Sequence, residues 1–266
     1  MKTKALCLIP VLLLSLTGCR RDQGLTAEEA AQARDELEVG STSHALTSQT
    51  VEVGTHFTIG GVVEKAATEL RDFIQSQKAC ADVALSGHTL TVVYGAHGDC
   101  PFNSHEKITG TDEITVSKNE NSEVVVDHVW TDLSNGNVTV SGTAHVTWNL
   151  QDPSRHVQHD LKWTRRDGRT GEGPGDRIQK PLNGDLTVGF TEDGERTWDG
   201  KRGHWDLTID GLEMRWEDPI PQAGTLTLDT PFNKTVSVAF ARKDESTIHM
   251  TFEGPRGSIG FDFHKL

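Results

Sequence analysis

Asp127, His128 and His145 are the residues whose types and placement could do chemistry. They sit in "EVVVDHVWTDLSNGNVTVSGTAHVTW", two alternating runs around Asn135-Gly136. That dipeptide tolerates positive φ at both positions and predicts a two-residue type I′ hairpin. Pairing partners then sum to 271, so that Leu133 faces Val138, Val129 faces Gly142 and Val125 faces Val146. One surface reads Val125, Val129, Leu133, Val138, Val140, Ala144 and Val146, and Asp127 falls on it opposite Ala144. A carboxyl on an apolar face holds its proton unless a partner or the open end of the sheet relieves it. His128 and His145 become diagonal neighbours on the other surface, where a third ligand would be needed to hold a metal. The chemistry open to this trio is acid–base hydrolysis. The structural alternative is an acid paired with a cation and two solvated histidines.

Other clusters carry less. His156-Val157-Gln158-His159-Asp160 collects three ligand types at a spacing that matches no metal site. His97, Asp99, Cys100, His105 and Glu106 crowd one stretch without a CxxC or HxxxH pattern. "DGRTGEGPGDRIQKPLNG", Asp167 to Gly184, reads as a long glycine-rich loop. It lacks the GK[ST] ending of a phosphate-binding loop and the acidic spacing of an EF-hand. Asp193, Glu195, Asp199, Lys201 and Arg202 read as a solvated hairpin end. No HExxH or nucleophile elbow occurs. The expectation is no metal and no cofactor.

The N-terminus is more specific. Lys2 and Lys4 precede an apolar run, Ala5 to Leu16, too short to cross about 30 Å of hydrocarbon as a helix. "LSLTGCRRDQG" follows, from Leu14 to Gly24. Leu16-Thr17-Gly18-Cys19 resembles the lipobox at which bacterial lipoproteins are cleaved before a lipid-modified cysteine. The resemblance covers only the start of the chain. It implies that residues 1–18 are a signal peptide, that Cys19 carries lipid, and that the chain is an anchored envelope protein. Several acyl chains hold a protein durably, at about 0.8 kcal/mol per buried CH₂. Arg20, where aspartate would retain such proteins in the inner membrane, implies the outer membrane.

Of four cysteines, Cys7 leaves with the signal and Cys19 takes the lipid. In an oxidising envelope Cys80 and Cys100 then pair, closing a loop worth about 3 kcal/mol. Loss of Lys2 and Lys4 moves the net charge from −13 to −15. So acidic a surface disfavours nucleic acid.

Residues 19–50 read as a lipidated tether, largely disordered. Thr26-Ala27-Glu28-Glu29 is a capping-box pattern that could start a short helix to about Glu38, with a face of mere alanine. Residues 51–266 read as the folded domain. Val62 to Gln77 carries an amphipathic stripe of Val63, Ala66, Ala67, Leu70, Phe73, Ile74 and Gln77. From Thr89 the period is two, with short turns between runs. After Gly211 the phase slips by one, predicting a bulge.

The expected fold is mainly β: an antiparallel meander of roughly ten strands, either a curved open sheet or a two-layer sandwich, with one N-terminal amphipathic helix. A membrane-spanning barrel is disfavoured, since a single tyrosine cannot build aromatic girdles. The expected role is a non-enzymatic binding or scaffold module, taking an apolar ligand or an envelope protein. The alternative is an envelope hydrolase using Asp127 and the nearby histidines.

Overall fold

The computed structural model describes residues 24–54, 62–101, 107–149, 151–185, 188–218, 220–254 and 257–264. Cys19, His105, Glu106 and Leu186 lie outside them.

Among the described residues thirteen antiparallel strands form one sheet in sequential order. They are β1 (Asp82–Ser86), β2 (Thr89–Tyr94), β3 (Thr109–Lys118), β4 (Val124–Ser134), β5 (Val138–Asn149), β6 (Ser154–Arg165) and β7 (Thr170–Pro181). Then come β8 (Gly189–Gly200), β9 (Gly203–Arg215), β10 (Ala223–Thr230), β11 (Lys234–Arg242), β12 (Thr247–Gly254) and β13 (Gly257–His264). The sheet is open, because β1 and β13 each pair with a single neighbour. The expected ten strands become thirteen through β1, β3 and β7.

β7 corrects the reading of Asp167 to Gly184 as a loop. Its inward positions are Gly171, Gly173, Gly175, Arg177 and Gln179, so period two is present without an apolar residue to announce it. The glycines yield to large neighbours. A Cβ on Gly171 would meet the Trp163 ring at 2.5 Å, and one on Gly175 the His159 ring at 2.2 Å.

The β4–β5 register also differs from expectation. Val126 pairs with Val146 and Trp130 with Gly142, whereas Leu133 pairs with Val140. The jump is a bulge at Thr131-Asp132, with Asp132 at φ 50°. Asn135 does not take positive φ. Its Oδ1 instead accepts from the Asn137 and Val138 amides, both at 3.1 Å. The type I′ turn therefore does not form, and the hairpin is closed by the Ser134–Thr139 pair. Two residues in the bulge restore Leu133 to the inner face, but everything before Thr131 sits one residue out of the expected phase. Val126, His128 and Trp130 point inward, and Val129 is exposed. The bulge expected after Gly211 is present: Ala223 pairs with Glu213 but Thr225 with Asp210, and Gly211 takes φ +56°.

Two α-helices occur among the described residues, α1 (Ala27–Val53) and α2 (Val63–Gln77). α2 buries Ala66, Ala67, Leu70 and Ile74 against the sheet, as its stripe predicts, while Gln77 is exposed. Cys80, just beyond it, is disulfide-bonded to Cys100.

α1 is the larger departure. Its capping box forms as expected, with Thr26 Oγ1 accepting from the Glu29 amide and the Glu29 carboxylate accepting from the Thr26 amide at 2.7 Å. The helix then runs past Glu38 to Val53 and lies inside the curve of the sheet, where a tether was expected. Ala30, Ala33, Leu37, Val39, Leu46 and Val51 are buried. So are Ser43, Thr47, Ser48 and Thr50. Small side chains let the strands close in around it. The hydroxyls of Ser43, Thr47 and Thr50 bond back to carbonyls one turn earlier at 2.8–3.1 Å, so their burial leaves no unmet donor.

Candidate functional site

The strands and α1 enclose a polar cluster that no sequence pattern flagged. Arg155 from β6, Arg177 and Gln179 from β7, Glu192 and Arg196 from β8, and His159 from β6 all point inward and are buried. From the helix side come His44 and Glu52. Arg155 Nη1 donates to Glu52 at 2.9 Å, and its Nε to Gln179 at 2.7 Å. Arg177 Nη1 reaches both Glu192 oxygens at 3.3–3.4 Å and the His44 ring at 3.0 Å, while its Nη2 lies 3.1 Å from His159 Nδ1. Gln179 donates to Glu192 at 2.5 Å. Arg196 Nη1 donates to the carbonyl of Gly40 at 3.1 Å.

The cluster fixes protonation. Burial and then the Arg177 charge push the His44 ring down to about 4. Burial, then Arg177 and Arg196, hold His159 far below the usual histidine range. Burial alone would raise the Glu192 carboxyl, but Arg177, His44 and Gln179 outweigh it and keep it ionised. Burial, then Arg177, pushes the Arg196 guanidinium down to about 9, with Glu192 opposing. At neutral pH three guanidiniums therefore face two carboxylates, with both histidines neutral.

The contacts continue along α1. Arg202 pairs with Glu36 at 3.3 Å, Lys234 with Glu29 at 2.5 Å, and the Arg34 guanidinium lies 5.4 Å from the centre of the Phe261 ring. Beside Arg196 is a small cavity between α1, β8, β9 and β10, walled by His44, Glu192, Trp198, Leu207 and Met214.

The expected trio is split between the two faces of the sheet. His128 points inward, with Nδ1 3.0–3.1 Å from both oxygens of Asp112, and both side chains are fully buried. Its ring stacks on Trp130 at 5.4 Å. The ring also lies against the end of α1, where a Cβ on Gly54 would come within 2.7 Å of it. His128 Nε2 has no hydrogen-bond partner among the described residues. Asp127 points outward, directly across from His145 rather than Ala144, and the two pair at 2.7 Å with about half of each side chain exposed. The expectation of Asp127 on the apolar face, and of His128 beside His145, is thus corrected. The bulge at Thr131-Asp132 is the cause.

His156 and His159 likewise separate. His156 faces outward and pairs with Asp176 at 2.5 Å, while His159 faces the buried cluster. Asp199 and Asp206 flank His204 at 2.9 and 3.1 Å on the outer face. The expected hairpin end is present at Lys201-Arg202, closed by the Gly200–Gly203 pair, but Asp193, Glu195 and Asp199 lie within β8, where Asp193 accepts from the Gly211 amide at 2.7 Å across the bulge. Asp99 pairs with Lys107. No three His, Cys, Asp or Glu side chains are placed to hold a metal ion together among the described residues.

Comparison with known proteins gives no match: no family model, no curated protein and no solved structure is similar to this chain. No helix among the described residues is long and apolar enough to cross a membrane.

Proposed function

We propose that the chain is an envelope lipoprotein, anchored at the outer membrane through lipid on Cys19, whose β domain is a non-enzymatic scaffold or binding module. The placement of α1 carries this reading. The interior that would have held an apolar ligand is occupied by the chain's own helix, so partners are left the polar outer face and the edges β1 and β13. An unpaired edge accepts an added strand from an envelope protein by main-chain hydrogen bonds. The helix begins eight positions after Cys19, and eight residues span at most about 27 Å. The domain is thereby held close to the lipid surface instead of floating on a long leash.

The hydrolase reading calls for a polar cleft lined by Asp127 and two histidines; instead Asp127 and His145 pair half-exposed on the outer face, and His128 is buried against Asp112 on the inner one. The test is mass spectrometry of the membrane-extracted protein together with a Cys19→Ser variant. The expected result is diacylglyceryl-modified Cys19 in the wild type and loss of both processing and membrane retention in the variant. A variant that is processed and retained like the wild type overturns the proposal.

A further inference from the structure

Arg196 is 5% exposed, and among the described residues its single hydrogen bond is the one from Nη1 to the Gly40 carbonyl. A guanidinium carries five N–H donors in a fixed fork. Most of these have no protein acceptor, and the side chain forms part of the cavity wall. Its Nε and Nη2 are not sealed off as the unpartnered Arg155 Nη2 and Arg177 Nε are, so they open on accessible space, and a largely buried cation without a full counter-charge is costly. The surrounding cluster does not supply that charge. Glu52 serves Arg155, and Glu192 is engaged by Arg177, Gln179 and His44, which leaves one guanidinium in excess.

We propose that the cavity beside Arg196 binds a small monovalent anion, of the chloride or short-carboxylate class, held by the unused Arg196 donors. Size sets the class. The cavity has a volume of about 30 Å³. A single water needs about 10–15 Å³ on that measure, whereas an apolar cavity that takes benzene is about 150 Å³. Room for one or two water-sized groups suits a halide or a one- or two-carbon carboxylate. It does not suit a phosphate ester or a fatty acid. The other walls, Trp198, Leu207 and Met214, are apolar and offer nothing to a polyvalent ion that must keep its hydration. Glu192, also on the wall, would repel an anion on its own, but its charge is already matched by Arg177. The anion completes the charge balance of the interior and joins α1 to β8 through the same arginine that holds Gly40.

The full chain, extracted in a non-ionic detergent, is melted in sodium chloride, bromide, formate or gluconate at one ionic strength. Gluconate is too large for the cavity and serves as the screening control. A saturable rise in Tm is expected for a halide, for formate or for both, reaching about 5–10 °C at a hundredfold excess over Kd. The pattern among the three small anions separates halide from carboxylate. Arg196→Gln should abolish the difference from gluconate. Because this variant removes a buried charge and could fail to fold, Leu207→Trp, which fills the cavity and keeps Arg196, should abolish it too. Bromide-soaked crystals should show an anomalous peak within hydrogen-bond distance of Arg196. Equal melting in all four salts, or an anion-specific rise that persists in Leu207→Trp, overturns the proposal.

Discussion

The interior around α2 and the interior around α1 are built from opposite materials. In the first, Leu70 and Ile74 share an apolar core with Leu90, Ile114, Val116 and Val126, all essentially inaccessible to water. In the second, Arg155, Arg177, Arg196, Glu192 and Gln179 occupy the same inward positions of successive strands. The apolar half tolerates local repacking, since each side chain contributes by area. The polar half is conditional: every charge is stable there only while its partners are in place. One sheet therefore holds a forgiving region and an unforgiving one.

The largest expected effect tests the unforgiving region. Glu192→Gln leaves Arg177 without its buried counter-ion and should cost about 3–5 kcal/mol in urea unfolding. The matched change in the other half, Ile74→Ala, should cost about 2–5 kcal/mol by cavity formation. Their pH behaviour should separate them. Between pH 6.5 and 4 an unfolded chain protonates residues 44 and 159 while the folded one protonates neither, so stability falls as pH falls, by up to about 3 kcal/mol from His44 and by at least as much again from His159. Below pH 4.5 protonation of Glu192 in the unfolded state adds to the loss, because its folded pKa is held lower still. His44→Asn should make the first part of this profile shallower without abolishing it, His159 supplying the remainder, as measured by chemical denaturation at fixed pH values. Ile74→Ala should leave the profile's shape intact.

Opening the Cys80–Cys100 loop by Cys100→Ser should cost about 3 kcal/mol. It should leave the pH profile unchanged, since the bond lies at the α2 end. The smallest effect is expected on the outer face, where His145→Ala removes a half-exposed pair with Asp127 and should change stability by less than about 1 kcal/mol.

What was legible in the sequence follows the same division. α2, the inner face of β5 and the bulge at Gly211 could be read because apolar residues mark them at the right period. β7 could not, since its alternation is written in glycine, arginine and glutamine. α1 was hidden for a related reason: Ala, Ser, Thr and Gly on every side suggest solvent, yet small groups are what an enclosed helix needs. The inner face of β4 was misread through a single bulge. Asp132 at φ 50°, facing Gly110, left no periodic trace and moved Asp127 and His128 to the wrong sides.

Helix α1 is the first element among the described residues, but its bed is assembled from what comes long afterwards. Its contacts bridge sequence separations of 103, 133, 156, 166 and 205 residues, and they lengthen steadily toward the helix N-terminus. During synthesis the segment must therefore wait, and its carboxyl half can dock well before its amino half. Such long-range closure makes for slow maturation. It also makes the last strands a checkpoint: a chain cut short before β11 would leave the Glu29 end of the helix with nowhere to go.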